Sequence, residues 1–387
     1  MKLLIVTRER EEDRRYGMGK STTPLQSELE RMGHAVRYLC QADRDAAGSR
    51  SLERIVRLLT PLVRGAPCRT ILLRSALEAV WMGRLAAAAA RRGRFTHVHC
   101  HDVLVALGLV ISTLGKRRQF SWGITQHAFG STVEAAHKWV CPLPTWLRGG
   151  LRRLESKLMR SADWVVAPTR AGLAQLATDL GNKTMPPTWH VIPHSLPQLN
   201  VCSKEEARSR LGWEPHLRYI VGVGQFIEIK RFPMLIAACA RLKQDVQLVL
   251  LGEGDTHVLK DATFECGLRR PVIFDLTDNI ALYLSAADLY VSASATESFG
   301  LANLEALVAG IPAVCTAVDA VPEVMGDCAL LVEGDATALA IGMEKLIEHP
   351  DLAAELRRRA LARAQSWPDA AATAKKYEQV YAAAASL

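Results

Sequence analysis

The chain has 387 residues, a length typical of two α/β domains rather than of a single core. A hydrophobic fraction of 49% and a charged fraction of 23% indicate a globular protein and exclude a disordered or fibrous one. The formal net charge of +8 suits an anionic partner, but no recognition motif supports nucleic acid. There is no run of eighteen apolar residues to predict a membrane span, and the start MKLLIVTRERE predicts a first strand rather than a signal peptide.

The nine cysteines are scattered and include no CxxC pair. This distribution argues against a zinc site or a disulfide framework, so we expect a reducing, cytoplasmic location.

Strand-like apolar runs alternate with helical patterns along the chain, as in parallel sheets with crossover helices. The predicted strands are KLLIVT, AVRYL, HVHCHD, FSWGITQHA, DWVVAPT, HVIPHS, RYIVGVGQF, VQLVLLGE, VIFD, LYVSAS and AVCTA. A polar, proline-containing break falls near residues 195 to 216. We therefore predict two Rossmann-like, doubly wound parallel-sheet domains that meet across a central cleft. The predicted boundaries are 1–195, 196–365 and a C-terminal helix, 366–387.

The first motif is GMGKST, from Gly17 to Thr22. A full phosphate loop also needs a glycine five residues before Gly19, where Arg14 stands. We favour a flexible glycine loop that opens a helix near Ser21 and lets the backbone approach a pyrophosphate, over a plain turn.

Histidines follow two predicted strands, in HVHCHD (97–102) and in TQHAF around His127. Alternation along a strand would place His97, His99 and His101 on one face of the sheet rather than around a metal ion. We therefore expect His127, and less strongly His101, to line the cleft and to bond a substrate hydroxyl.

The second half carries the charged motifs. Lys230 ends GVGQFIEIK, after the first predicted strand of the second domain, where it could reach a phosphate. The segment ESFGLANLEALVAGIP places Glu297 before a helix N-terminus at Phe299 and Gly300, and Glu305 on the second turn of that helix. A helix N-terminus suits phosphate, and carboxylates accept hydrogen bonds from sugar hydroxyls. The segment therefore predicts a nucleotide-sugar site.

The two glutamates could instead form a glycosidase couple. That mechanism needs two carboxyl groups facing one bond, about 5–10 Å apart. Because one glutamate precedes the helix and the other lies on its second turn, we expect them to contact different parts of one ligand.

Basic residues concentrate in the first half, where Trp139 and Trp146 stand close to several of them. The basic residues are Arg54, Arg57, Arg64, Arg69, Arg74, Arg148, Arg152 and Arg153. They are either solvated helix faces or a peripheral contact with an anionic membrane.

The chain resembles the retaining GT-B glycosyltransferases of family four, whose EX7E signature is similar to ESFGLANLEALVAGIP. Further matching segments span nearly the whole chain. They are KLLIVT followed by the glycine loop and ELERMGHAV, HVHCHD, ITQH, LESKLMRSADWVVAPT, VIPHS, GVGQFIEIK, LVLLGEG, DNIALYLSAADLYVSAS, VPEVM and SWPDAAATAKKYEQVY.

The resemblance implies a role for each matched residue. Glu297 would contact the transferred sugar, with His127 close to that sugar and the acceptor, and Lys230 would neutralise the diphosphate. The remaining donor contacts implied are Glu305 with the ribose, Gly17 and Gly19 facing the diphosphate, Thr277 near the base, and backbone from Phe299 through Gly300, Leu301 and Ala302 around phosphate. The C-terminal helix would pack on the first domain.

The chain departs from the family pattern at three places. Gln225 stands where an arginine is usual, Asp275 where glycine is common, and His194-Ser195 where Asn-Gly is frequent. The first departure leaves one obvious cation for the diphosphate, unless Arg231 or another cation substitutes.

The resemblance implies transfer of a sugar from a UDP-, GDP- or other nucleotide sugar to a glycan or lipid-linked acceptor, with retention, in the synthesis of cell-envelope polysaccharide or glycolipid. No D-x-D triplet stands in a suitable loop, so we expect no metal and no other cofactor. A nucleotide-sugar epimerase of the same fold and an inactive nucleotide-sugar-binding subunit are the alternatives.

Overall fold

A computed structural model describes residues 1–9, 17–43, 46–63 and 67–384. Its contacts divide the chain into two compact units. Unit 1 comprises Met1–Ser195 and Pro368–Leu387, and unit 2 comprises Leu196–Trp367.

Strands and helices alternate along most of both units, and in places two or three helices follow one another. The chain begins with β1 Lys2–Val6, α1 Gly17–Arg31, β2 Ala35–Leu39, α2 Ala46–Leu59, α3 Pro67–Gly93, β3 His97–Cys100, α4 Val103–Thr113, β4 Ser121–Thr125, α5 Thr132–Trp139, α6 Thr145–Ser161, β5 Trp164–Ala167, α7 Arg170–Asp179 and β6 Trp189–Val191. It continues with α8 Lys204–Leu211, β7 Arg218–Val223, α9 Phe232–Ala240, β8 Val246–Leu251, α10 His257–Glu265, β9 Ile273–Asp275, α11 Ile280–Ala286, β10 Leu289–Ser292, α12 Leu301–Ala309, β11 Ala313–Thr316, α13 Val321–Met325, β12 Leu330–Val332, α14 Ala336–Glu348, α15 Pro350–Ser366 and α16 Ala370–Ala384. Short 3₁₀ turns cover Gln41–Asp43, Thr60–Val63 and Glu228–Lys230.

Unit 1 is built on a six-stranded parallel sheet in the order β2-β1-β3-β4-β5-β6. Strands β3 and β5 are buried along their whole length, and β5, with the sequence WVVA, is accordingly apolar throughout. Helix α16 completes this unit. Its Tyr381 carbonyl lies 2.9 Å from His97 Nε2, and its Ala384 carbonyl accepts a 2.9 Å hydrogen bond from Ser121 Oγ.

Unit 2 is built on a second six-stranded parallel sheet, in the order β12-β11-β10-β7-β8-β9. The strand order reverses between β7 and β10, which makes the carboxyl ends of these two strands the topological switch point. Ligands of open α/β sheets bind at such a point. The predicted α/β class with two doubly wound parallel sheets is confirmed.

Some predicted boundaries were wrong. Helix α1 begins at Gly17, so Gly17 and Gly19 lie in its first turn rather than in a loop before Ser21. Strand β12, a three-residue edge strand, was not predicted. Arg14, which argued against a phosphate loop, and Arg64 lie outside the described residues.

No helix among the described residues has the length and apolar content needed to cross a bilayer.

Candidate functional site

Two loops at the switch point of unit 2 bring a cation and a carboxylate together. Lys230 ends the 3₁₀ turn that follows β7, and Glu297 lies in the loop that follows β10. Lys230 Nζ forms an ion pair with Glu297 Oε1. The same carboxylate oxygen accepts a 2.8 Å hydrogen bond from Ser294 Oγ. Two residues 67 positions apart are therefore held side by side, as their place after neighbouring strands predicts.

Lys230 lies across a glycine. Gly224 has φ +151°, and a Cβ added to it would stand 3.1 Å from Lys230 Cε. The bare backbone at this position therefore makes room for the lysine stem. Arg231, the suggested substitute cation, donates instead to the carbonyl of Gly334 at 3.4 Å, and Gln225 is exposed.

Helix α12 begins beside Glu297 without a side-chain cap. Gly300 is its N-cap residue and has φ +81°, a conformation that glycine adopts without strain. Leu301 and Ala302 form the first turn, where amide groups lack partners within the helix. Phe299 is 2% exposed, and its ring packs edge-on against Trp367 with 5.9 Å between the centroids, so its side chain belongs to the core.

Glu305 lies on the second turn of α12, as predicted, and is 4% exposed. Beside it, Tyr290 donates a 2.8 Å hydrogen bond to Asn303 Oδ1. Burial raises the pKa of Tyr290 well above its usual range, and Cys315, Glu297 and Glu305 add to the shift. The Tyr290 hydroxyl is therefore un-ionised at pH 7 and keeps the proton that it donates to Asn303.

Asp319 supports the Glu297 loop and was not identified from the sequence. It follows β11 with φ +47°, and its Oδ2 accepts hydrogen bonds from Thr296 Oγ1 and, at 3.1 Å, from the Glu297 amide. The Glu297 carbonyl accepts from the Ala320 amide at 3.1 Å. The loop after β11 therefore fixes the backbone of Glu297. The sequence does show an aspartate two residues before VPEVM, but the Glu297 amide that it binds lies 22 positions earlier, so the contact could not be inferred.

Thr277 follows β9, at the same edge of the sheet but two strands from β7. Its Oγ1 accepts a 2.9 Å hydrogen bond from the Asn279 amide. Asp275, the unusual residue nearby, accepts a hydrogen bond from Tyr283. Burial first, and then the Asp275 carboxylate, raise the pKa of Tyr283 to about 12.

At the carboxyl edge of the unit 1 sheet, four histidines form a cluster of contacting rings. The rings of His99 and His101 lie 4.2 Å apart, those of His101 and His127 5.2 Å, and those of His127 and His194 5.8 Å. His101 Nδ1 lies 2.9 Å from His127 Nε2. The sequence singled out His127 and His101, and the structure adds His194, which follows β6. Burial lowers the pKa of His127 to about 4 and the pKa values of His99 and His194 to about 3, so these rings are neutral at pH 7.

Gly19 is buried in the first turn of α1, and its amide donates a 3.1 Å hydrogen bond to Glu9 Oε1. Gly17 has φ +47° and is exposed. We predicted that the Gly19 backbone would face a pyrophosphate, but its amide is already hydrogen-bonded to the Glu9 carboxylate.

Comparison with known proteins agrees with this fold. Residues 16–196 match the family model described as Glycosyltransferase Family 4, and residues 203–365 match the one described as Glycosyl transferases group 1. The chain is similar to sucrose-phosphate synthase from Thermosynechococcus elongatus, with a TM-score of 0.78 and 21% identity over 98% of each chain.

Two curated relatives show different extents of similarity. N-acetyl-alpha-D-glucosaminyl L-malate synthase from Bacillus anthracis is 31% identical over 37% of this chain and 39% of its own length. Alpha-maltose-1-phosphate synthase from Mycolicibacterium smegmatis is 26% identical over 92% of each chain. The chain thus spans about two-fifths of the first relative and nearly all of the second.

The two six-stranded parallel sheets, each flanked by helices, match the GT-B fold of the solved structures. With both family models matched along nearly all of its length, the chain belongs to the family 4, group 1 glycosyltransferases.

Proposed function

We propose that the protein is a retaining, metal-independent glycosyltransferase that moves a sugar from a nucleoside-diphosphate sugar to a hydroxyl of a glycan or lipid-linked acceptor. The observation that carries the proposal is the Lys230–Glu297 ion pair at the switch point of unit 2, beside the uncapped start of α12.

The charges support binding of a diphosphate. Anionic groups are favoured at a helix N-terminus, where unpaired amides and the helix dipole meet them. Lys230 supplies a positive charge next to that position and is already paired with a carboxylate. On donor binding, Lys230 would pair with the diphosphate, and Glu297 would then accept hydrogen bonds from sugar hydroxyls.

The reaction would exchange one bond at the anomeric carbon for another on the same face. The bond from this carbon to the diphosphate oxygen breaks, the bond to the acceptor oxygen forms, and the acceptor proton passes to the leaving phosphate. Lys230 and the α12 amides would stabilise the developing phosphate charge, and Glu297 would orient the sugar. Removing one such preorganised donor typically costs about 10²–10³ in kcat.

A panel of UDP, GDP, ADP and their sugars in a thermal-shift assay tests the donor site, because a ligand that binds only the folded protein raises its melting temperature. The stabilising donor is then incubated with hydroxyl acceptors, and NMR reads the anomeric configuration of donor and product. We expect the same configuration in both, and equal rates with and without a chelator. An inverted product would refute retention.

The same assay separates the alternatives. Family membership does not favour a nucleotide-sugar epimerase, which would convert the donor to a new nucleotide sugar without acceptor. An inactive binding subunit would be stabilised by the donor but would neither hydrolyse it nor transfer its sugar. The feature that favours this alternative is Gln225, which replaces the usual arginine.

We also propose that α6 contacts an anionic membrane, which would suit a lipid-linked acceptor. Trp146 is 78% exposed and Leu154 is 42% exposed, and Arg153 and Lys157 are exposed on the same face of the helix. Other predicted basic residues are committed elsewhere, since Arg148 and Arg152 pair with Glu134, and Arg74 pairs with Glu53 and Glu78. An aromatic residue flanked by uncommitted cations is typical of a membrane-surface helix.

Liposome flotation tests this face. We expect binding to vesicles that contain anionic lipid and its loss in the double variant Arg153→Glu, Lys157→Glu. The matched control, Lys375→Glu with Lys376→Glu on α16, makes the same charge change at exposed positions of unit 1. Equal flotation of the two double variants would contradict the proposal.

A further inference from the structure

His101 contacts His127 through a ring nitrogen and is almost completely enclosed. It directly follows β3, is 3% exposed, and its Nδ1 lies 2.9 Å from His127 Nε2. The two rings are also stacked, with an interplanar angle of 25°. On its other side, His101 packs against His99, which is itself held by Thr125 Oγ1 at 2.7 Å and Tyr381 Oη at 2.8 Å. His101 therefore sits between a fixed ring and His127.

The contact between the two histidines couples their tautomers. A neutral imidazole has one protonated nitrogen and one acceptor nitrogen. Burial lowers the pKa values of both rings, so both are neutral at pH 7, and the 2.9 Å contact between His101 Nδ1 and His127 Nε2 needs one of these nitrogens to donate and the other to accept. If His101 donates, His127 carries its own proton on Nδ1 and can donate onward. If His127 donates, its Nδ1 becomes an acceptor.

The opposite nitrogen of His101 faces a small polar cavity. His101 Nε2 and Thr373 Oγ1 are both buried and have no hydrogen-bond partner among the described residues. Both residues line a cavity of about 10 Å³, together with Thr22, His194 and Ser195. That volume is about the size needed for one water molecule, and buried polar atoms are normally satisfied by protein or by ordered water.

We propose that His101 is a positioning residue that fixes the ring orientation and tautomer of His127, and that a water bound between His101 Nε2 and Thr373 Oγ1 holds His101 in turn. This inference rests on the proposed function, in which His127 bonds a substrate hydroxyl. His101 acts only through His127, because both of its ring nitrogens face the protein interior.

Two substitutions of His101 test the roles of its two ring nitrogens separately. In His101→Asn the side-chain amide lies near the place of Nδ1, so it can still bond His127. In His101→Gln the amide reaches toward the place of Nε2 and leaves His127 without this partner. ¹H–¹⁵N correlation spectra of ¹⁵N-histidine-labelled protein report the tautomer of His127 without substrate or turnover. We expect His101→Gln to change the His127 signals and His101→Asn to restore them.

Kinetics supply the second readout. We expect His101→Gln to lower kcat on the order of tenfold, the scale of lost outer-shell support, with KM nearly unchanged, and His101→Asn to recover most of that loss. Thr373→Val should shift the His101 Nε2 signal because the water loses a partner. His190→Asn, in β6 and outside the cluster, should leave the His127 signals unchanged.

The outcomes distinguish this inference from the proposed function. Unchanged His127 signals in a folded His101→Gln protein would overturn the positioning role, whatever the activity. An unchanged His101 signal in Thr373→Val would overturn the water. Absence of transfer by the wild-type protein would refute the proposed function and leave the spectroscopic test of the tautomer intact.

Discussion

The two sheets present different chemistry at their carboxyl edges. In unit 2 this edge holds an ion pair, Lys230 with Glu297, and a second carboxylate, Asp319, that supports it. In unit 1 the corresponding edge holds four histidines in successive ring contact, and burial lowers the pKa values of all four. The same fold thus provides one site that responds to charge and one that offers neutral hydrogen-bonding groups. In the proposed function, the unit 2 edge would bind the diphosphate and, through Glu297, the transferred sugar, and His127 at the unit 1 edge would bond a substrate hydroxyl.

The largest effect is expected at Glu297. Glu297→Gln removes the carboxylate charge but keeps the shape, and we expect transfer to fall by about 10³-fold or more while the melting temperature changes little. Initial-rate kinetics and thermal unfolding measure the two quantities. Glu333→Gln, an exposed glutamate in the loop after β12, is the matched control, and comparable activity of the two variants would contradict the assignment.

Lys230→Ala should have the next largest effect. We expect kcat/KM for the donor to fall by about 10²–10³-fold, because the diphosphate loses a preorganised cation. A second consequence follows from the ion pair, since Glu297 is left without its cation. The double variant Lys230→Ala, Glu297→Gln should therefore lose less than the product of the two single effects. Strictly multiplicative losses would show that the two residues act independently.

The four buried histidines at the carboxyl edge of the unit 1 sheet should make this unit less stable in acid. The folded-state pKa values lie below the ordinary value of about 6.5, so the unfolded chain binds protons first as the pH falls. The part of the free energy of unfolding that depends on these neutral histidines is fully present above about pH 6.5. It decreases as the pH falls toward 3–4, and at pH 5 the loss is about 2 kcal/mol per histidine. Denaturant unfolding between pH 7.5 and 5 measures the slope. The His99→Phe protein should take up about one proton fewer on unfolding, so its unfolding free energy should depend less steeply on pH. An unchanged slope would contradict the neutral state of the buried histidines.

The smallest effect is expected at Asp319. Replacing it by Ala or Gly removes the acceptor for Thr296 and for the Glu297 amide, and we expect kcat to fall by about tenfold. Glycine tolerates the positive φ of this position, so it separates a lost hydrogen bond from backbone strain. Activity restored in Asp319→Gly but not in Asp319→Ala would assign the whole effect to strain.

Local patterns predicted most of the fold. The sequence patterns predicted eleven of the twelve strands in the part of the chain that the structure describes; the exception, β12, is a partly exposed edge strand of three residues. The start of α1 was misplaced because glycine has a low helix propensity, while tertiary contacts bury Gly19 in the first helical turn.

The site was predictable where it depends on strand order. Lys230 and Glu297 follow adjacent strands of one sheet, so their proximity can be inferred from the sequence. The supporting contacts could not be, because they are long-range. Asp319 reaches back 22 positions, and His101 meets a ring 26 positions away on a neighbouring strand. The conformation that orients such side chains depends on packing that no local spacing encodes.

Gly224, which lies against the Lys230 side chain, affects how fast the Lys230–Glu297 site could bind a ligand. A free lysine side chain samples many rotamers and loses about 1.5–2 kcal/mol of conformational entropy when it is fixed. The stem of Lys230 lies along the bare backbone of Gly224 and its tip is held by Glu297, so most of that ordering precedes any ligand. In the proposed function, an incoming diphosphate would replace Glu297 as the partner of Lys230, with little search of side-chain conformations. The Gly224–Lys230 contact would then favour fast binding as well as affinity.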